Sequence, residues 1–493
     1  MISKKFFKSS IIYSVIGALP LATSFVLLLF YANLLSTSDL GLLALYIVIA
    51  FLVQIIVNFA MDTSIGVHYF EFKDKPDKLK NYIGTVAGLL LVIGLIFVLF
   101  SIFSGNFIFK ELWPKQDLKF YPYGFLSILT GISNSFFKTY TNLLINQEKP
   151  DRYFWMNIST FIMTIVFSLG LLFLFPGTLI GPIWGRFLAS FINSVVVFYF
   201  FKTEFGISIH ISYLRGIFIF CFPVFLFIFI GWILSSLDRF IIKALMQSSD
   251  VAIYDFTVKC IVVLEFIQSG LSVAITPKVF NMFKELNLKE STIEMNRYFN
   301  GYTIVNLFLI PLMVIAVPLI IPFLVKNHEL YKGFSFVGLL CLGYVTRSLY
   351  TMYSLPIYYF KRTKLLPVIF GIAAAIQVAL SILGIREFGL IGIVYAGLLS
   401  KFFQVFLLYL GSRKVFTFKV NNVKQFYLPL FYTALCIISF FAFHRHPGIL
   451  VYLFQLLIIY IAVILVFRKE LLQMIEEAKK SRYLAGFRTK SNA

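Results

Sequence analysis

The chain is dominated by a succession of apolar runs, each about 20 residues long, which is the length that crosses the roughly 30 Å hydrocarbon core of a bilayer. Fourteen such runs begin near Ile11, Leu40, Tyr82, Phe120, Phe154, Thr178, Gly216, Val251, Gly301, Gly333, Leu365, Gly389, Gln425 and Ile449. Because lipid cannot satisfy backbone polar groups, runs of this length predict α-helices. We therefore expect an all-α polytopic membrane protein with fourteen transmembrane helices.

The composition supports this fold class. Of the 493 residues, 60% are hydrophobic and only 13% are charged, which is too little polar surface for a soluble protein of this size. The first apolar run is too long for the core of a signal peptide, so we expect it to be retained as a helix. The four cysteines lie scattered within apolar runs, and their spacing indicates neither a metal site nor a disulfide.

The basic residues predict the orientation of the chain. If Met1 is cytoplasmic, the cytoplasmic loops and termini hold 29 Lys and Arg residues, and the opposite loops hold nine, among them Arg239 and Lys243. This asymmetry follows the positive-inside rule, so both termini should face the cytoplasm. We interpret the net charge of +21 as orientation and attraction to anionic membrane lipid, not as nucleic-acid binding. The basic tail should lie on the inner leaflet as a short amphipathic helix.

Five basic residues fall inside the predicted spans, namely Lys138, Arg186, Lys259, Arg347 and Lys401. A charge at the bilayer centre costs about 2.5 to 3.5 kcal/mol on insertion scales, so these residues predict a polar, cationic cleft for an anionic substrate. The alternative is that each cation pairs with an acid on its own or a neighbouring helix. The fourth and tenth spans are interrupted by many polar residues, so we expect them to line something other than lipid.

Three acidic residues in or near the predicted spans, Asp62, Asp255 and Glu265, are candidate ion-coupling residues that could bind H⁺ or Na⁺. Lys259, four residues after Asp255, would neutralise it on the same helical face. Asp62 lies near the cytoplasmic end of the second span and could simply cap a helix. Glu265 is then the strongest of the three. The chain contains no GxxxxGK[ST] motif, so we expect neither ATP hydrolysis nor a cofactor.

A weak internal repeat divides the chain. A shift of 211 residues aligns Ser38 and Asp39 with Ser249 and Asp250, and a shift of 212 aligns Gly131 with Gly343. The same offset separates spans that are six apart, which predicts two parallel six-helix lobes with a substrate cleft between them. The predicted divisions are an N-terminal lobe, a C-terminal lobe, two further helices and a cytoplasmic basic tail, at residues 1–210, 211–415, 416–468 and 469–493.

Two segments resemble bacterial polysaccharide exporters. The first is LLSTSDLGLLALYIVIAF from Leu34, in which an acidic residue and a glycine precede the second helix. The second is LDRFIIKALMQSSDVAIYDF, which carries the Asp238-Arg239 pair and Tyr254 in the matching places. Met246 and Ala252 stand at or near positions where many relatives have glycine. With fourteen helices, the chain resembles a Wzx-type flippase of the multidrug/oligosaccharidyl-lipid/polysaccharide exporter superfamily.

The resemblance implies a transporter, not an enzyme. It implies alternating access in the bacterial inner membrane, a polyprenyl-(pyro)phosphate-linked oligosaccharide as cargo, and a role in surface polysaccharide biosynthesis. Other polysaccharide-assembly membrane proteins would be its partners. Two alternatives stay open. A drug/cation antiporter of the same superfamily should favour carboxylates over cations in its cavity. A membrane glycan polymerase or ligase needs a sizeable outer loop, whereas the longest predicted outer connection spans only residues 105–119.

Overall fold

The computed structural model describes Tyr13, Ile16, Gly17 and residues 19–113, 118–285, 288–416, 419–443 and 449–472. The start of the first predicted span and most of the basic tail lie outside these ranges. Helices dominate the described residues, which contain no β-strand. The prediction of an all-α fold is therefore confirmed.

The described chain forms seventeen α-helices. The first nine are α1 (Leu19–Leu34), α2 (Thr37–Asn58), α3 (Met61–Phe72), α4 (Pro76–Leu112), α5 (Phe125–Asn146), α6 (Pro150–Leu174), α7 (Ile180–Glu204), α8 (Ile211–Leu245) and α9 (Ser248–Cys260). The remainder are α10 (Val262–Glu285), α11 (Leu288–Leu324), α12 (Phe334–Gly343), α13 (Thr346–Tyr359), α14 (Leu365–Phe388), α15 (Leu390–Arg413), α16 (Leu428–Phe443) and α17 (Ile449–Val466).

Every predicted span is helical within the described residues. Eleven spans correspond to one helix each, and three are broken into two helices: α2 with α3, α9 with α10, and α12 with α13. Nine helical segments in the described part of the chain are long and apolar enough to cross a membrane, one of them formed by α2 and α3 together, and three shorter helices are also apolar. The protein is thus a multi-pass membrane protein, as predicted.

The helices group into two compact units. The first contains the residues up to Phe256 together with the short segment Leu324–Leu330, and the second contains residues 257–323 and those from Tyr331 onward. Helix α8 therefore belongs to the first unit. The predicted lobes, with a boundary at residue 210, and the cleft between them stay predictions.

Helix starts in the first unit follow local sequence rules. Pro76 and Pro150 begin α4 and α6, where a missing N–H costs no helical hydrogen bond. Ser36 caps α2, because its hydroxyl oxygen accepts a hydrogen bond of 3.1 Å from the Asp39 backbone N–H. At α9, the Gln247 backbone N–H donates to the Asp250 carboxylate at 3.1 Å. Asp39 and Asp250, which the shift of 211 residues aligns, thus both lie at helix starts.

Arg239 and Lys243, which we counted with the basic residues of the outer loops, lie inside a helix. Helix α8 continues to Leu245, and Asp238, Arg239 and Lys243 are buried within its last turns. Each of these charged side chains has a polar partner across the turn, which compensates for the cost of burying the charge. Lys243, for example, donates a hydrogen bond of 2.7 Å to the Ser248 hydroxyl.

Candidate functional site

A cavity of about 350 Å³ lies within the first unit. Helices α1, α2, α5, α6 and α7 contribute its walls. Its polar lining consists of Thr23, Ser24, Tyr46, Gln54, Ser127, Thr130, Asn134, Lys138, Asn157, Thr160, Thr164, Arg186 and Ser190. No carboxylate among the described residues lines the cavity, so its fixed charges are the two cations, Lys138 and Arg186. Two of the five predicted cleft cations therefore share one cavity.

Helical periodicity places these polar residues on the cavity wall. On α5, Thr130, Asn134 and Lys138 recur every four residues, and on α7 Arg186 is followed by Ser190 at the same interval. Residues at this spacing lie on one face of a helix. The opposite faces of these helices remain free to pack against apolar neighbours. Helix α5 forms the fourth predicted span and lines the cavity, which agrees with the expectation that this span lines something other than lipid.

Two glycines allow the walls to approach closely. A Cβ atom at Gly131 would lie 2.3 Å from the carbonyl oxygen of Ala50, so α5 packs directly on the backbone of α2. At Gly185, a Cβ atom would lie 2.4 Å from the Ser168 Cα atom, so α7 packs equally closely on α6. These contacts set the position of the two cavity cations, which follow the two glycines by no more than two turns.

Two threonine hydroxyl groups of the cavity have hydrogen-bond partners, whereas two of its side-chain amides have none within the described residues. Thr160 and Thr164 donate hydrogen bonds of 2.8 and 2.7 Å to carbonyl groups of their own helix. The side-chain amides of Gln54 and Asn134 have no hydrogen-bond partner within the described residues. Both amides carry donors and acceptors, so they are available to the hydroxyl groups of a ligand.

Lys138 forms an ion pair across the helices. Its Nζ atom lies 3.3 Å from Oδ2 of Asp62, which is the first acid of the predicted coupling set. Asn142, one turn further along α5, donates to the same oxygen at 3.3 Å. Asp62 is buried, and its other oxygen, Oδ1, has no hydrogen-bond partner among the described residues. The structure thus joins a predicted substrate cation to a predicted coupling acid.

A break in the second span positions Asp62. Phe59 and Ala60 have φ angles of 46° and 58°, in the left-handed region that non-glycine residues seldom adopt. The helix ends at Asn58 and restarts at Met61, so Asp62 lies in the first turn of α3. A carboxylate at a helix N-terminus interacts favourably with the helix dipole. We expected Asp62 near the cytoplasmic end of the second span, whereas it is buried at a break within that span, and α3 continues for ten residues beyond it to Phe72.

Arg186 is half-buried, and its Nε atom is buried without a hydrogen-bond partner in the described part of the chain. The Tyr31 hydroxyl interacts with this guanidinium and with the Ser168 hydroxyl, so the three side chains partly satisfy one another. Nε of Arg186 keeps hydrogen-bonding capacity, which is normally taken up by water or by a ligand.

The other predicted cations lie on different helices. In the second unit, the Arg347 guanidinium lies over the ring of Tyr350, 4.9 Å from its centroid, and the Lys401 ammonium lies 4.8 Å from the centroid of Tyr344. Tyrosine faces attract cations, and this stabilises a charge within a membrane span. Lys259 is half-buried near the end of α9, also within the second unit.

The two remaining acids differ in environment. Asp255 is buried and accepts a hydrogen bond of 3.0 Å from Nε of Arg239, an ionic partner that was not predicted from the sequence. Tyr254 donates to Asp238 at 2.8 Å, and together these contacts join α8 to α9. Glu265 is exposed in the first turn of α10. The roles of all eight predicted site residues stay predictions.

Most of the uncharged cavity lining was not predicted from the sequence, including Gln54, Asn134 and Asn157. A search for helical periodicity within the apolar runs could have found part of it. On α6, Asn157, Thr160 and Thr164 recur at intervals of three and four, as a polar stripe on one helical face does. The ion pair between Lys138 and its acid has no comparable pattern in the sequence.

Solved structures with a similar fold are distant in sequence. Lipid II flippase MurJ, in an inward closed conformation, matches with a TM-score of 0.73 and 15% identity, over 94% of this chain and all of that one. An inward-facing multidrug resistance MATE family transporter of the MOP superfamily matches with a TM-score of 0.64 and 13% identity, over 81% and 94% of the two chains. The MATE multidrug transporter DinF-BH matches with a TM-score of 0.59 and 15% identity, over 85% and 97%. These matches establish a MurJ- and MATE-like transporter fold.

A search of curated proteins finds no match. The family model described as polysaccharide biosynthesis protein matches residues 6–283, which is more than half of the chain and includes every residue that lines the cavity. This family and this fold are those of membrane transporters, not of catalytic enzymes. The chain therefore belongs to the polysaccharide biosynthesis protein family, within the fold shared by MOP superfamily transporters.

Proposed function

We propose that the protein is a flippase that moves a polyprenyl-(pyro)phosphate-linked oligosaccharide across the bacterial cytoplasmic membrane by alternating access. The product would serve the synthesis of a surface polysaccharide, such as O-antigen, capsule or exopolysaccharide. Both termini would face the cytoplasm, because the basic residues concentrate in the loops on that side. Anionic lipid and other polysaccharide-assembly membrane proteins would be its partners.

The observation that carries this proposal is the lining of the cavity. Lys138 and Arg186 supply positive charge, while Gln54 and Asn134 supply amides without partners in the described part of the chain. Cations form charge-assisted hydrogen bonds with phosphate oxygens, and amides bind sugar hydroxyls. An organic-cation antiporter would be expected to place carboxylates at its binding surface, and no described residue supplies one to this cavity. A phosphate-linked sugar fits the lining better than a cationic drug.

Substitution of the cavity cations should slow translocation. In proteoliposomes loaded with a lipid-linked oligosaccharide, we expect Lys138→Ala or Arg186→Ala to lower the initial rate by about tenfold or more, since a hydrogen bond to a charged group contributes about 1.5 to 3 kcal/mol. Lys149→Ala is the matched control, because Lys149 pairs with Glu204 outside the cavity. Its rate should stay near that of the intact protein.

The same assay tests the cations of the second unit. Arg347→Ala and Lys401→Ala should also lower the rate, because we propose that both cations bind the cargo. If all four cation variants translocate normally while folded, the cationic-site assignment is wrong. If the intact protein moves no glycolipid but exchanges an organic cation for H⁺ or Na⁺, the drug-antiporter function replaces the flippase function.

A further inference from the structure

The two cations of the cavity lie at its opposite ends. Helices α5 and α7 run in the same direction, because a short connection joins each of them to α6. The stacked rings of Tyr140 and Phe200 fix the register of these two helices, so positions 60 residues apart lie at the same level. Arg186 is therefore level with Leu126, twelve residues before Lys138 on α5. At a rise of about 1.5 Å per residue, the two cations leave their helices about 18 Å apart.

The two charged groups do not converge within the cavity. The Lys138 ammonium pairs with Asp62, whose carboxylate also accepts a hydrogen bond from Asn142, one turn further along α5 and away from Arg186. At the other end, the Arg186 guanidinium interacts with the Tyr31 hydroxyl. The distance between the charges is therefore comparable with that between their helix positions. A diphosphate is much shorter than this distance, so one diphosphate cannot contact both cations.

The lining between the cations is polar and uncharged. Asn58 donates a hydrogen bond of 2.9 Å to Thr139, and the close contact at Gly131 lies eight residues earlier on both helices, so α2 and α5 run parallel in register. This register places Gln54 and Asn134 at nearly the same level, between the two cations. Their unpartnered amides can bind the hydroxyl groups of neutral sugars. The cavity therefore presents a cation, a neutral section and a second cation in sequence.

Two separated cations favour a ligand with two separated anions. A charge within a membrane is costly unless it is paired, and a neutral glycan would leave Arg186 without a counter-ion. The planar guanidinium forms two parallel hydrogen bonds with a carboxylate, and Nε of Arg186 has no partner in the described part of the chain. No described carboxylate lines the cavity, so nothing among these residues repels a second anion.

We propose that the cavity selects an acidic glycan. The diphosphate binds at Lys138, neutral sugars extend past Gln54 and Asn134, and the carboxylate of a sugar several units from the diphosphate binds Arg186. This inference rests on the proposed function. It narrows the cargo from lipid-linked oligosaccharides in general to those that contain a uronic acid or another carboxylated sugar.

A pair of matched cargo molecules tests this selectivity in proteoliposomes. Each probe is an undecaprenyl-diphosphate-linked tetrasaccharide, and the two differ only in the terminal sugar, which is glucuronic acid in one and glucose in the other. At equal, subsaturating concentrations, and after subtraction of the rate in protein-free liposomes, the intact protein should translocate the acidic probe about tenfold faster or more. The reason is that only this probe supplies a charged partner to Arg186.

Two variants distinguish recognition of the acid from a general loss of function. Arg186→Gln should slow the acidic probe and bring the ratio of the two rates close to one. Lys138→Gln should slow both probes and preserve the ratio, since both carry the diphosphate. Lys149→Gln is the matched control, because it removes a cation that pairs with Glu204 outside the cavity. It should retain the preference for the acidic probe.

The ratio of the two rates does not depend on how much of a variant is folded, so a partial loss of protein does not obscure the result. Equal rates of the two probes with the intact protein overturn the acidic-glycan inference and leave the flippase function standing. A preference that persists in Arg186→Gln overturns the assignment of the carboxylate to Arg186. Translocation of neither probe by the intact protein contradicts the proposed function itself, and the acidic cargo with it.

Discussion

Replacing Gly41 with alanine is expected to prevent the first unit from folding stably. The new Cβ atom would lie 1.7 Å from the carbonyl oxygen of Ser248 and 2.7 Å from its carbonyl carbon. Both are backbone atoms at the start of α9, so the clash cannot be relieved by a side-chain rotation. Overpacking of a rigid contact typically costs about 1 to 3 kcal/mol, and a clash with backbone at this distance should reach or exceed that upper value.

The measurements are the yield of monodisperse protein in detergent and its thermal unfolding temperature. Gly170→Ala is the matched control, because Gly170 lies inside α6 and a Cβ atom added there would meet no neighbouring residue within 4 Å. Alanine favours a helix by about 1 kcal/mol over glycine, so this control should be unchanged or slightly more stable. Equal behaviour of the two variants would contradict the close contact between α2 and α9.

Asp255→Ala is expected to destabilise the first unit strongly. Arg239 and Asp255 are 7% and 5% exposed, and removal of the carboxylate leaves the guanidinium buried without that partner. Breaking a buried ion pair from one side costs about 3 to 5 kcal/mol. Thermal unfolding in detergent should therefore show a marked drop in the transition temperature of Asp255→Ala, with little folded protein near physiological temperature.

An exposed ion pair provides the comparison. Glu294 and Arg297 lie 3.3 Å apart at i,i+3 spacing and are about one-third exposed, so Glu294→Ala should cost less than about 1 kcal/mol. The result also bears on ion coupling. If Asp255→Ala stays as stable as the intact protein but loses ion-driven transport, Asp255 is a coupling residue and the structural role inferred from its pairing with Arg239 is wrong.

The positions of the helices could be predicted from the sequence because lipid imposes a strict requirement. A span must satisfy its own backbone hydrogen bonds and present about 20 apolar residues, and both conditions are visible in sequence. The exceptions are the helix breaks. At Phe59 and Ala60 the chain adopts left-handed φ angles with neither glycine nor proline at those positions, so no local residue type indicates the break.

The site was only partly predictable, for a different reason. A charge inside an apolar run stands out, so Lys138 and Arg186 could be singled out from the sequence. Which acid approaches Lys138 depends on how α5 packs against the broken second span, and Asp62 is distant in sequence. Uncharged polar residues such as Asn134 are common enough in membrane helices that only their shared helical face distinguishes them.

The polar face that α5 presents to the cavity also affects how the protein reaches the membrane. Helix α5 is not among the helices of the described chain that are apolar enough to span a bilayer by composition. It packs most extensively against α2 and α7, and both of these helices belong to segments that are apolar enough to span a bilayer. During biosynthesis, α5 would then enter lipid poorly on its own. Its stable integration should wait until α7 has been synthesised, so that the cavity forms only after six spans have been inserted.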